Sequence, residues 1–577
     1  MPRTDDLLAL GSESHFDYVI VGAGSAGCVL ASRLSESPSR KVALVEAGPD
    51  YEPGSEPGYI RDARARALFL EQSFWPGLLT ETISEAFSPV GPITMPMPQA
   101  RLVGGGSAVN GMHAQRGESS DYDEWRQLGV VGWGWDDVLP YFNRVETDLD
   151  FSGPLHGATG PIKIKRQGPE KWSALSLAVA RTFEARGLKH IADVNTAGGD
   201  GISPVPLSAT KERSSASAGY LTREVRARKN LAIISDTQVK RLVFEGNKVS
   251  GIELTDPAGK AIRGRNVIVS AGCLHSPAIL QRSGVGPGEL LASAGIPVIA
   301  AREGVGRRLH NHPLINAVTA HLARKGRSKG LAAAPCLMVI RYSSGLPNCP
   351  PADMLLNLWE RIPGPLARDP LLAHFADFML ILNKSYSEGL VEIDPQHPFG
   401  SPRVKFNMFS DVRDYDRIRN GVLMLTSMAL SPPLNELITD GLALNQSEIM
   451  VTLMRDSIRA RLLSEAGSLA LELPGRIRKS LLKLAGTPIE SILESEAALE
   501  QHVLTHAVPG GHPTGTCRMG DTERKDTVID SRCRLAGVEG VRVVDASIFP
   551  TPLRAGTNLP VMMAAEKAAA MIAQDER

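Results

Sequence analysis

Residues 17–50 read DYVIVGAGSAGCVLASRLSESPSRKVALVEAGPD, and no other stretch constrains the fold as strongly. Residues 18–21 form a short, continuous apolar run, as a strand buried on both faces requires. Gly22, Gly24 and Gly27 follow as G-x-G-x-x-G, and residues 28–34 have helix-forming character. A second apolar strand over 42–45 ends at Glu46, 24 positions after Gly22. Each part has a physical task. Gly22 permits the tight turn from strand to helix, Gly24 leaves room for a pyrophosphate, and Gly27 lets helix and strand pack closely. The helix N-terminus offers free N–H groups and a positive dipole to phosphates. Glu46 is positioned to accept hydrogen bonds from a ribose. A lone G-x-G-x-x-G says little, but here strand, glycines, helix, second strand and terminal acid come in order. The motif predicts a dinucleotide site without separating FAD from NAD.

The rest of the chain extends this α/β beginning. Gly104, Gly105, Gly106 and Ser107 form a second glycine-rich segment, whose main-chain N–H groups can approach a flat ring or an anion. Residues 231–254 alternate in strand fashion with a turn near 245–247. Residues 266–286 return to a buried strand, a turn and a helix, and so read as a later strand of the same parallel sheet. Runs such as DMLLNLW and ADFMLILN within 312–410 predict a second, more antiparallel domain. Residues 450–486 carry leucines and isoleucines among seven Arg and Lys residues, and read as one or two basic amphipathic helices. Such a segment is a surface helix packed on the core, a hydrophobic substrate portal or a membrane-surface patch. Residues 541–550 predict a strand and turn, and residues 558–572 a helix with Pro560 near its start.

Charge and cysteine content exclude several classes. Lys plus Arg and Asp plus Glu are both 63, so the basic excess of a nucleic-acid binder is missing. None of the six cysteines forms a CxxC pair, so no metal site is expected, and the thiols read as free in a reducing compartment. Residues 1–17 lack the pattern of an export signal, and no apolar run approaches the roughly 20 residues a membrane span needs. The expected location is the cytoplasm, with contact at a membrane surface left open by the 450–486 segment. Nothing in the sequence fixes an oligomeric state.

Four segments together resemble the glucose–methanol–choline (GMC) oxidoreductases. They are the nucleotide motif ending at Glu46, ARLVGGGSAVNGM (100–112), AGCLHSPAILQRSGVG (271–286), and GGHPTGTCRMG through VVDASIFPTPLRAGTNLPVMMAAEKAA (510–569). The resemblance implies an α/β fold with two interleaved parts. A Rossmann-like FAD-binding domain would comprise 16–155, 205–310 and 508–573. A substrate-binding domain built on an antiparallel sheet would comprise 156–204 and 311–507. It implies flavin contacts at Asn110 and Met112, adenine contact at Val239, and ribityl or pyrophosphate contact at Asp545 and Ala546. Further cofactor contacts are implied at Ser25, Ala26, Ala47, Arg101, Gly105, Ser107, Gly111, Ala271, Thr557 and Asn558. Some members attach FAD through a histidine where this chain has Val109, so FAD is expected to be noncovalent.

The implied chemistry is oxidation of an alcohol. A base takes the hydroxyl proton while a hydride leaves the carbon for flavin N5, and oxygen, a quinone or another carrier accepts the electrons. His512 in HPTGT occupies the family position of the base. The helix beginning near Asn558 would direct its N-terminal dipole at the charge the flavin gathers. Two departures matter. Gly556 stands where the family has a second His or Asn, with Asn558 the nearest replacement and His310, Asn311, His502 and His506 further candidates. Gly510 and Gly511 replace a bulky aromatic, which points to a bulky or hydrophobic alcohol. The incomplete pair leaves open a non-redox or light-driven enzyme, like hydroxynitrile lyases or fatty-acid photodecarboxylases, although His512 argues against the latter. A protein that holds FAD without turnover is the third reading.

Overall fold

The computed structural model describes residues 15–576 apart from 85–90, 197, 257–258, 328–335, 367–368, 445–451, 454 and 474. Most of the N-terminal stretch read for export signals (1–14) and residues 450, 451, 454 and 474 of the basic segment therefore lie outside the described residues.

The first glycine motif folds as its spacing predicts. Strand β1 (Phe16–Val21) runs into helix α1 (Ser25–Leu34) and returns as β2 (Val42–Val45). The second half of the same sheet comes from much later in the chain. β3 (Leu231–Ile234) pairs in parallel with β2, and β4 (Val239–Glu245) and β5 (Lys248–Leu254) form an antiparallel hairpin. β6 (Ala261–Val269) lies in parallel beside β1, and its start pairs antiparallel with β5. The spatial order is β3-β2-β1-β6-β5-β4. Helix α2 (Gly272–Arg282) follows β6 directly.

A second, eight-stranded sheet is antiparallel. Its centre is β7 (Pro313–Leu322), β8 (Met354–Trp359) and β9 (Phe375–Leu382), with β9 between the other two. Strands Cys336–Tyr342 and Gly201–Pro204 extend it on one side, and Ile438–Leu444 and Gly486–Pro488 on the other. Register matters here. Leu314 stands opposite Ile381, which stands opposite Leu355; Asn357 stands opposite Met379. Because side chains alternate across a strand, these residues share one face with Trp359. The basic segment forms α3 (Ile458–Leu471) and α4 (Gly475–Ala485). The chain then returns to the first sheet, where β10 (Val541–Val543) pairs with the end of β6 and α5 (Asn558–Asp575) packs on α1.

Both sheets share one continuous apolar core. All six cysteines are unpaired, as the sequence predicts. Among the described residues no helix is long and apolar enough to cross a membrane.

The glycines set the contact distances in the first motif. A Cβ at Gly27 would lie 1.9 Å from the Gly22 carbonyl oxygen, and Gly22 itself has φ +97°. Gly105, at φ +50°, brings its backbone so near α1 that a Cβ would meet Gly24 Cα at 2.6 Å. Gly24, in contrast, faces open space. Gly27→Ala is therefore expected to cost about 1–3 kcal/mol through overpacking, seen as a lower thermal midpoint. Gly24→Ala should leave the midpoint of the cofactor-free protein unchanged and weaken FAD retention, measured as flavin bound per chain.

Candidate active site

A cavity of about 510 Å³ lies between the two sheets. Its floor is made by residues at or just past the C-terminal ends of the parallel strands: Val21, Glu46, Ser270 and Asp545. Ligands of doubly wound sheets bind at this edge. Leu314, Leu355, Asn357, Trp359, Met379 and Ile381 on the shared face of β7, β8 and β9 form the opposite wall.

Every cofactor position expected from the sequence lines this cavity except Gly27, Arg101 and Ser107. Gly27 is occupied in helix–strand packing. The Arg101 guanidinium lies over the Trp75 ring, 5.3 Å from its centroid. The Ser107 hydroxyl donates to the Gly104 carbonyl at 2.6 Å and accepts from Ala216 N–H at 2.9 Å, so it braces the glycine turn from behind. Of the candidates for a second active-site group, His310, Asn311, His502 and His506 stay outside the wall.

The wall matches a dinucleotide in charge and shape. Three helices, α1, α2 and α5, begin at it through Ser25, Gly272 and Asn558. Their positive ends, and the free N–H groups of α1 and α5, favour a pyrophosphate or other anionic group. Glu46 accepts from Ala23 N–H at 2.9 Å and Gly48 N–H at 3.0 Å, which fixes its carboxylate at the wall with lone pairs left for hydroxyls. Asp545, expected near the ribityl and pyrophosphate portion, lines the cavity with its carboxylate engaged by the protein itself. It accepts from Gly272 N–H, Ser276 Oγ and Ser547 N–H, and thereby ties the end of β10 to the start of α2. Buried polar atoms on lining residues, including Ser270 Oγ, His113 Nε2, Asn357 Oδ1 and Trp359 Nε1, have no hydrogen-bond partner among the described residues. A buried polar atom without a protein partner calls for one from elsewhere, and those on the cavity lining are placed to bond a polar ligand. These donors and acceptors, the dipoles and the open face of Gly24 fit FAD.

The turn at Asn110–Met112 is clamped from outside the cavity. Met112 sits in the left-handed region at φ +65°, uncommon for a side-chain-bearing residue. Its N–H donates to Asn110 Oδ1, and Arg213 Nη1 donates to Asn110 O at 2.7 Å and Oδ1 at 2.8 Å. Burial pulls Arg213 down to about 10.

His512 comes to the cavity on a strand-like return beside β7. Gly510 N–H donates to the His312 carbonyl, and a Cβ at Gly510 would crowd that oxygen at 2.8 Å. Glycine at 510 thus serves close backbone approach, whereas Gly511, at φ +75°, has open space beside it. Asn311 Oδ1 accepts from the backbone N–H of both His312 and His512 at 2.9 Å. The two imidazoles then meet Nδ1 to Nδ1 at 3.0 Å. His312 was not among the sequence candidates; its signal was the HNHP run that also carries Asn311. Gly556 stands directly beside the other ring nitrogen, where a Cβ would be 3.2 Å from His512 Nε2. Asn558 Oδ1 instead accepts from Ser25 Oγ at 2.9 Å, across the α1–α5 contact.

Burial lowers His512 to about 4, and lowers His113 to about 4 with a smaller push from His512. His312 is driven well below its ordinary value, by burial first and then by His512, against the pull of the Leu553 carbonyl that accepts from its ring. All three imidazoles are neutral at neutral pH. His113 also stacks near Trp359, with ring centroids 6.0 Å apart.

Comparison with known proteins gives the family of the chain. Two family models, both described as GMC oxidoreductase, match residues 16–314 and 385–565. The chain is 38% identical to 5-(hydroxymethyl)furfural oxidase of Methylovorus sp. (strain MP688), over 97% of this chain and 98% of the relative. It is 29% identical to oxygen-dependent choline dehydrogenase of Vibrio vulnificus (strain YJ016), over 97% of this chain and 94% of that one. Among solved structures it is similar to pyridoxine 4-oxidase from Mesorbium loti, with TM-score 0.78, 25% identity, and coverage of 97% of this chain and 99% of that one.

Val109, at the cavity wall, has no nucleophilic atom. Acid precipitation of the holoprotein is expected to leave all the yellow colour in the supernatant; flavin retained in the pellet would contradict this.

Proposed function

Because the chain belongs to the GMC oxidoreductase family, we propose that it is an FAD-dependent alcohol oxidoreductase in which His512 is the base. The observation that carries this reading is a neutral imidazole whose Nε2, without a hydrogen bond to the described residues, opens on the cavity beside Gly556. FAD, when bound, supplies the acceptor for the hydride. The protein residues do the rest.

The His312 pair supports one tautomer of His512. Only one of two facing Nδ1 atoms can carry the hydrogen. The Leu553 carbonyl lies within reach of the His312 ring; we assign the His312 hydrogen to Nε2 facing that carbonyl, which leaves His312 Nδ1 as the acceptor. His512 therefore donates from Nδ1 and keeps the Nε2 lone pair free for a hydroxyl proton. His312 is a positioning residue in this scheme. The departure at Gly556 has a steric sense, since a larger side chain would press on Nε2.

The substrate side favours a bulky, ring-bearing primary alcohol. Trp75, Phe74 and Trp359 supply flat apolar surface, and Asn357 Oδ1 and Trp359 Nε1 offer hydrogen bonds to a second polar group. The similarity to a hydroxymethylfurfural oxidase and a pyridoxine oxidase points the same way. Oxygen or a quinone-like carrier takes up the electrons. The test is anaerobic mixing of the holoprotein with furanic, benzylic and pyridine methanols. Flavin absorbance should bleach with at least one class; a panel without bleaching would refute the reading.

His512→Ala is expected to lower kcat/KM by roughly 10²–10⁴-fold. For the wild type, kcat/KM should fall on the acid side only as pH approaches about 4, since the base form persists above its lowered pKa. His312→Phe should cut kcat/KM roughly 10–100-fold by analogy with lost orienting partners and displace the acid limb. His312→Gln, which keeps an acceptor, should restore much of both. Gly556→Ala should slow turnover about tenfold by crowding Nε2, with the thermal midpoint unchanged.

A further inference from the structure

The α3–α4 hairpin is built with its apolar side facing away from the protein. At 100° per residue, Ile458, Leu462 and Leu469 of α3 fall within about 40° of one another, and they are 76%, 67% and 74% exposed. The side that packs inward carries mainly small or polar residues. Ser464 Oγ donates to Asp369, Ser468 Oγ meets His374 Nε2 at 2.9 Å, and Gly467 lies against Leu371. α4 repeats the arrangement, with Ile477, Leu481 and Leu484 exposed at i, i+4 and i+7 while Leu482 is buried. Surface helices ordinarily turn such a stripe toward the core. Eight of the eighteen exposed large apolar side chains among the described residues lie in this hairpin and its turn, so the patch is a local feature and not the scatter found on any surface.

The charges around it select the occupant. Residues 455–484 carry seven cations against three acids in a chain of zero net charge. Arg478 faces inward to Asp440, but Arg455, Arg459, Arg461, Arg476, Lys479 and Lys483 are exposed. Of the acids, Glu472 is already paired with Arg324 and Arg327, and Asp456 with Arg461. A second copy of the chain docking symmetrically would bring two sets of these cations together, which costs association. An apolar stripe flanked by arginines and lysines matches a bilayer interface with anionic headgroups.

We infer that the α3–α4 hairpin docks this protein on the surface of an anionic lipid bilayer, with the leucine and isoleucine stripe in the headgroup boundary and the basic residues on lipid phosphates. The hairpin packs on Ile362, Asp369, Leu371 and Leu372, which lie in the chain between Trp359 at the cavity wall and β9. Docking there would set the substrate wall beside the lipid. The surface argument is independent of the redox reading.

The test is co-sedimentation of the full-length holoprotein with vesicles of phosphatidylcholine alone and of phosphatidylcholine mixed with phosphatidylglycerol. Capture is expected on the mixed vesicles, weakening as salt is raised. Leu462→Glu with Leu469→Glu should abolish it. Arg459→Gln and Lys479→Gln should each weaken it roughly fivefold, and these exposed polar changes keep the test open if the glutamate variant folds poorly. Turnover of a water-soluble alcohol should stay at the wild-type rate in all of them. Absence of capture, equal capture on neutral vesicles, or capture indifferent to these substitutions would overturn the inference. So would a dimer in sedimentation velocity that Leu462→Glu with Leu469→Glu converts to a monomer, which would make the face a self-association surface.

Discussion

The whole arrangement depends on backbone meeting backbone with no Cβ between. Gly27 rests on the Gly22 carbonyl, Gly22 on Ser270, and Gly105 on Gly24. These contacts bring the ends of β1 and β6, the start of α1 and the 104–107 turn to one point. Once they are made, three helix N-termini face the same cavity, and their partial positive charge is held in place by the fold and not by mobile side chains. Preorganisation of this kind costs nothing further when a charged ligand arrives. Glu46 and Asp545 then have different duties. One presents its carboxylate at the wall, and the other ties β10 to α2 behind it.

The chemistry sits at the seam between two sheets. His512 belongs to a segment that pairs with the start of β7, a central strand of the antiparallel sheet, before the chain re-enters the parallel one. Asn311 accepts from both backbone amides that flank the imidazole pair, so one side-chain oxygen sets the relative position of His312 and His512. Behind the neighbouring 551–555 loop, Lys384 bonds to Asp121 and to the Pro552 carbonyl, and Arg554 N–H donates to Asp121. Buried ionic groups of this kind are retained only when well paired, and here they fix the turn that carries Gly556.

Much of this was legible in the sequence because the signals are local. The strand–glycine–helix–strand–acid order of 17–50 predicts β2 with its observed ends and β1 and α1 with starts two and three residues late, and the strand-like runs DMLLNLW and ADFMLILN predict two strands that do form. The basic segment does form two helices. What could not be read is partnership across the chain. The pairing of His312 with His512 joins positions 200 apart, and no periodicity reports it. The duty of Gly510 is visible only when the His312 carbonyl stands above it. Likewise, Asn558 lies close to Gly556 in sequence, yet the first turn of α5 points its oxygen at Ser25. Helical geometry alone could predict the stripe on α3, but not that it would face outward, because that depends on the small side chains seated against Leu371 and Asp369.

The parallel sheet draws its strands from both ends of the chain, and this has a consequence for synthesis on the ribosome. β1 emerges first, but β6 must wait some 240 residues and β10 more than 500. Until the last of these appears, the edge of β6 that β10 will cover and the face of α1 that α5 will cover stay bare. Long-range pairing of this sort folds slowly and exposes sticky surface meanwhile. A nascent chain that stalls before residue 541 would therefore be a substrate for chaperones and proteases, never a working half-enzyme.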